Sequence, residues 1–138
     1  MKTLPQSCEQ CLEQFSMALE DLKIHVDRSK KIELNESQSR ELIIEFEVAH
    51  ELALKVISKF FQKMGKGPFS GSRDATAEAF HAELIDDGKA WLDMVIDRIK
   101  YNPVYALDSQ KDFLERIKNQ YIHLFEKFED TMEKKVSE

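Results

Sequence analysis

The chain has 138 residues, 42% hydrophobic and 33% charged, which reads as one soluble globular domain over residues 1–138 and excludes a disordered chain. No apolar run approaches the length of a membrane span and no signal-peptide core opens the chain, so the expectation is a cytoplasmic protein with no membrane contact. A formal net charge of −6 and a pI near 5.3 argue against DNA binding and against non-specific RNA binding, while leaving room for a local patch.

Four glycines and three prolines in the whole chain leave space for long, uninterrupted helices. Leu4 to about Lys30 reads as the first, with Cys8, Cys11/Leu12, Phe15, Ala18/Leu19, Leu22 and Val26 on one stripe. Cys8 and Cys11 have no second pair to complete a zinc site and read as reduced, semi-buried thiols. Asn35, with Gln38 as its capping-box partner, opens a second helix from Glu36 to about Met64. Its stripe is Leu42/Ile43, Phe46, Ala49, Ala53, Val56/Ile57, Phe60 and Met64, and Gly65 stands where a left-handed residue closes a helix. GKGPFSGS, from Gly65 to Ser72, is the one true loop and the expected mobile segment. Ser72 then caps a shorter helix to about Leu84, with Asp74 in its first turn.

Asp86-Asp87-Gly88 is turn chemistry, and a fourth helix follows to about Tyr101. Trp91, Leu92, Val95, Arg98 and Ile99 share one face of it by spacing. Pro103 ends it, because proline brings no N–H and drives Asn102 out of the α region. Asp108 caps a long last helix with Phe113/Leu114, Ile117, Tyr121, Leu124/Phe125, Phe128 and Met132 on one face. No strand-like alternation interrupts the series. The fold class is all-α, an antiparallel up-and-down helical bundle of four to five helices.

Two features of this series bear on chemistry. Arg98 lies on an apolar stripe, and a guanidinium is costly to bury unless an anion answers it. Asp93, Asp97 or a partner chain are the expected anions, and a structural ion pair is one reading of the residue. Glu47-x-x-His50 and Glu78-x-x-His81 match the Glu-x-x-His half-motif of di-iron bundles. The bridging glutamates such a site needs are not on the apolar stripes, where Glu45, Glu51 and Glu83 are absent, so no metal and no cofactor are expected. His25 and His123 read as surface or boundary residues. The chain contains no phosphate loop, no Ser or Cys nucleophile motif and no HExxH.

Four segments, FEVAHELALK (Phe46 to Lys55), GSRDATAEAF (Gly71 to Phe80), LIDDGKAWLDMVIDR (Leu84 to Arg98) and ERIKNQYIHLFEKF (Glu115 to Phe128), together carry a resemblance. The chain resembles the nucleotidyltransferase substrate-binding family, small helical proteins of the HEPN superfamily encoded beside minimal nucleotidyltransferases. The resemblance implies a helical bundle, a homodimer, a minimal nucleotidyltransferase as partner in a toxin–antitoxin-like pair, and nucleotide or RNA contact. It also implies a substrate-binding or dimer cleft formed by Arg98, Trp91, Lys100, Asn102, Tyr105, Arg73 and His50, with Tyr105 as a target for adenylylation by the partner. A second reading of Arg98, phosphate recognition in that cleft, follows from the same likeness.

The chain departs from the family pattern at the residues that matter most. Active relatives pair the arginine with a histidine whose position here is Pro103, and the polar residue after the arginine is Ile99. An aromatic and a tryptophan usual on the second helix are His50 and Leu54. Pro103 can neither take nor give a proton, and no residue from Ile99 to Leu107 replaces it as a base. The expectation is therefore a non-catalytic partner protein, in which Arg98 alone retains a possible catalytic part. A HEPN ribonuclease toxin neutralised by the nucleotidyltransferase is the alternative, and a di-iron carboxylate bundle is the third.

Overall fold

The computed structural model describes residues 7–101 and 110–137, and every regular element among them is helical. Helix α1 (Cys8–Lys31) opens at the first residue of its stripe rather than at the expected Leu4, because Ser7 holds extended backbone and closes a capping box. The Gln10 N–H donates to Ser7 Oγ at 3.1 Å and the Ser7 N–H donates to Gln10 Oε1 at 2.9 Å. Helix α2 (Glu36–Lys63) opens on the expected Asn35–Gln38 box. It closes in a Schellman turn: the Lys66 and Gly65 N–H groups return to the Phe61 and Gln62 carbonyls, with Gly65 at φ 77°. Phe61 is the buried member of that last turn, whereas Phe60 is only half-buried and Met64 is exposed.

Helix α3 (Ser72–His81) differs at both ends from the sequence reading. Gly71 is its N-cap and Ser72 caps nothing. The Asp74 carboxylate instead accepts from the Ser70 N–H at 3.1 Å and from Ser70 Oγ at 3.3 Å, which folds the loop back on the first turn. The helix stops before Leu84 because Glu83 adopts φ 61°, and the Leu84 and Glu83 N–H groups close a second Schellman turn on Ala79 and Phe80.

Helix α4 (Gly88–Lys100) is capped by Asp87, which accepts from the Ala90 N–H at 3.0 Å. A Cβ at Gly88 would stand 2.7 Å from Phe80 Cδ1, so the glycine here answers a close approach of α3 rather than a turn. The buried face of α4 is Ala90, Trp91, Met94, Val95 and Asp97, rotated from the expected stripe so that Leu92 and Ile99 point outward. Asn102, Pro103, Tyr105 and the Asp108 cap lie outside the described residues.

The last rod consists of α5 (Lys111–Arg116), one π-helical turn (Ile117–Tyr121) and α6 (Ile122–Ser137). Helices α1 and α2 run antiparallel, as the pairs Lys63–Glu9 at 3.0 Å and His25–Glu45 at 2.5 Å fix. Helix α1 also packs on α6, and α3 packs on α4 and α2. Rings from α1, α2 and α4 converge on Phe125 of α6, whose ring lies 5.7 Å from Phe15, 5.5 Å from Phe46 and 5.8 Å from Trp91. Edge-to-face and offset pairs of this kind add about 0.5–1.5 kcal/mol each beyond area burial. Both cysteines are free and fully buried rather than semi-buried, and burial raises the Cys8 thiol above its ordinary pKa. No helix among the described residues is long and apolar enough to cross a membrane.

Candidate functional site

Residues three and four apart on α2 form a row, and Glu47, His50 and Glu51 belong to the row that faces α4. Arg98, from the last turns of α4, reaches across to it. Its Nη1 donates to Glu51 Oε2 at 3.0 Å and to His50 Nδ1 at 3.1 Å, and its Nε lies 3.8 Å from Glu47 Oε2. The anions expected within α4 do other work: Asp93 pairs with Lys89, and Asp97 faces the last rod. Arg98 is thus answered from another helix.

A guanidinium has no acceptor, so His50 Nδ1 must accept and the ring proton sits on Nε2. His50 is 0% exposed and stacks on Phe46 with ring centres 5.9 Å apart. Its Nε2 has no hydrogen-bond partner. Burial first, and the Arg98 charge second, push its pKa down to about 3, so the ring is neutral across the physiological range. Burial raises the Glu47 carboxyl above its ordinary value, opposed by Arg98 and reinforced by Glu51.

A second polar centre, unmarked in the sequence reading, joins α4 to the last rod. Arg116 grips Asp97 with two parallel bonds, Nε to Oδ2 at 2.8 Å and Nη2 to Oδ1 at 3.0 Å. Tyr121 Oη donates to the same Oδ2 at 2.5 Å. Asp97 and Tyr121 are both buried. Burial, then the bond to Asp97, lifts the Tyr121 hydroxyl well above its ordinary pKa. The bond to Asp97 is likewise the main reason Arg116 binds its proton more tightly than a free arginine. The Arg116 guanidinium also lies 5.7 Å from the centre of the Tyr101 ring, which stacks on Phe113.

The π turn makes this centre possible. Residues five apart sit about 140° apart around an ideal α-helix, too far to share a partner. Widening the turn between Arg116 and Tyr121 brings both toward Asp97. A sequence signal for it exists in the buried series Phe113, Ile117, Tyr121, Phe125, each four positions from the last. Steps of four drift by about 40° each on an α-helix, so three in a row demand a wider turn somewhere.

Of the residues expected in one cleft, the structure brings His50 and Arg98 together, with Trp91 6.2 Å from His50, ring centre to ring centre. Trp91 is 1% exposed and belongs to the core. Lys100 is exposed, 5.2 Å from the Tyr101 ring, and Arg73 is an exposed residue on α3. Asn102 and Tyr105 lie outside the described residues. The two Glu-x-x-His motifs do not converge: His50 is spent on Arg98, while His81 is exposed at the end of α3. The metal-donor group that does gather among the described residues is half-buried His25 and Glu45 with exposed Glu41, on α1 and α2.

Residues 10–134 match the family model described as "Nucleotidyltransferase substrate binding protein like". A search of the curated proteins finds no match.

Proposed function

The chain belongs to the nucleotidyltransferase substrate-binding protein-like family, and from that membership we propose that it is the non-catalytic binding or regulatory partner of a minimal nucleotidyltransferase, within a toxin–antitoxin-like pair. The family match over residues 10–134 carries the reading. Any nucleotidyl transfer then belongs to the partner, since Gly71-Ser72 is not followed by the Asp-x-Asp pattern of a nucleotidyltransferase.

The state of Arg98 supports the non-catalytic half of the proposal. Phosphate recognition needs guanidinium N–H groups turned to the ligand, and here Nη1 is spent on His50 and Glu51. Its immediate surroundings carry two carboxylates, which repel a phosphodiester. Pro103 occupies the position of the HEPN histidine and supplies no titratable group, and general-base catalysis is worth about 10²–10⁴-fold.

In the same reading the chain is a homodimer, and α4 is where a second copy docks. Trp91 and Val95 are core residues and do not serve this contact. The residues α4 turns outward are Leu92, Ile96 and Ile99, at 36%, 45% and 68% exposure. Apolar side chains exposed together on one helix are a usual mark of an association surface.

Two measurements test the proposal. Light scattering after mixing with a minimal nucleotidyltransferase from the same genome is expected to show a defined complex, and two unshifted species would refute the partnership. A long single-stranded RNA incubated with chelator is expected to remain intact. Cleavage by the wild type that Arg98→Ala abolishes would make the chain an enzyme, the ribonuclease toxin of the alternative reading. Cleavage gained in Pro103→His with Ile99→Asn would show instead that only the base was lost.

A further inference from the structure

The wall of α2 beyond Glu51 changes character. Lys55, Ser58, Lys59 and Gln62 follow at helical spacing and face the glycine-rich segment that leads to α3. Between them and Gly65, Lys66, Gly67, Pro68 and Phe69 lies a cavity of about 630 Å³. Small-molecule sites fall at roughly 300–1,000 Å³. A neighbouring hollow of about 380 Å³ shares Lys55, Ser58 and Phe69 with it and continues to the first turn of α3.

The lining of the larger cavity holds three lysines and no carboxylate, on a chain with 26 acidic and 20 basic residues. Glu51, which lines the neighbouring hollow, holds Arg98, Glu9 holds Lys63, and Asp74 holds Ser70. Lys55 engages other groups of the chain as well. Phe69 is half-buried against Phe61, with ring centres 5.2 Å apart, and Lys66 lies 6.0 Å from the Phe61 ring. The loop wall is therefore held against α2 by aromatic packing. A concavity lined by Lys55, Lys59 and Lys66 focuses positive potential and attracts a multivalent anion.

We propose that this cavity binds a polyphosphate chain, of the kind carried by a nucleoside triphosphate or by inorganic triphosphate. Ammonium groups are compact point charges that suit phosphate oxygens without a fixed fork geometry. Ser58 and Gln62 add hydroxyl and amide donors, and Phe69 offers a ring face at one end. A single phosphate would use one or two of the lysines, whereas a chain of phosphates spans the row. The site is separate from Arg98, so an inert result with RNA leaves it untouched.

Calorimetric titration of the full chain at about 0.15 M salt tests the assignment. The probes are inorganic triphosphate and ATP, against wild type, the double variant Lys59→Gln with Lys66→Gln, and the control Lys89→Gln on α4. Saturable binding of triphosphate is expected, weakened at least about tenfold in the double variant and less than about twofold in the control. Equal affinity for the two probes assigns the site to the phosphate chain alone. Tighter ATP binding that Phe69→Ala removes assigns the ring face as well. Absence of saturable binding, or equal weakening in control and double variant, overturns the proposal. Circular dichroism confirms that these surface variants retain the wild-type helix content.

Discussion

His50 is the residue with the most consequence for its size. It is a histidine without exposure, stacked among Phe46, Trp91 and Phe125, and its pKa is pushed down to about 3 from an ordinary value near 6.5. Below about 6.5 the unfolded chain takes up a proton there that the folded chain refuses, so the folded-state advantage is full above that pH and is lost as pH falls toward 3. The slope is up to about 1.4 kcal/mol per pH unit. His50→Phe keeps the aromatic stack and removes the titration, and Arg98 retains its 3.0 Å bond to Glu51. Urea denaturation at pH 7 and pH 5 should show the wild type losing roughly 2 kcal/mol more than His50→Phe. Equal losses would mean that His50 titrates normally in the fold. Sequence spacing placed His50 and Arg98 on helices but could not join them, because 48 positions separate the two and only the folded bundle brings Arg98 within reach of α2.

At the scale of elements, caps and periods were the readable part. The Asn35–Gln38 box, the Asp87 turn and the Gly65 closure follow from local chemistry that a few residues determine. Glu83 shows where local chemistry is silent: a glutamate took the left-handed position that the eye assigns to glycine, and α3 ended early. The tie between α4 and the last rod was equally illegible, since an acidic residue at a helix end has many candidate cations and only the π turn selects Arg116 and Tyr121 for Asp97. Asp97→Asn leaves both donors without their charged acceptor and should cost roughly 2–3 kcal/mol in chemical denaturation, toward the lower end because Arg116 is partly exposed. Asp93→Asn, whose partner Lys89 is almost fully exposed, should cost less than about 0.5 kcal/mol. Comparable effects from the two variants would remove the tie from the list of structural anchors.

For the whole molecule, the fold class was legible because apolar stripes of helical period recur in every long segment, and a bundle is how such stripes are jointly buried. What holds the helices in one register is less visible in the sequence, because it is a single convergence of rings from α1, α2 and α4 on Phe125 of α6. Phe125→Ala removes the shared partner and leaves a cavity that four helices cannot all fill, so a loss of about 3–5 kcal/mol is expected. That is a large fraction of the roughly 5–15 kcal/mol that stabilises a domain. Thermal melting should fall by about 10–20 °C. A fall of only a few degrees would show that the layers hold register without this ring.

The π turn also limits how the gene can change length. A single-codon deletion between Arg116 and Tyr121 would restore a plain α-helix there and leave the residues after it in their present phase, since a π turn is an α turn carrying one extra residue. Phe125, Phe128 and Met132 would stay in the interior, and Arg116 and Tyr121, then four apart on an α-helix, would still face Asp97 together. A single-codon insertion, with no second wide turn to absorb it, would instead rotate those residues by about 100° out of the interior. Between these positions the chain admits substitutions at its exposed residues Asn119 and Gln120 and the loss of one residue, but not the gain of one.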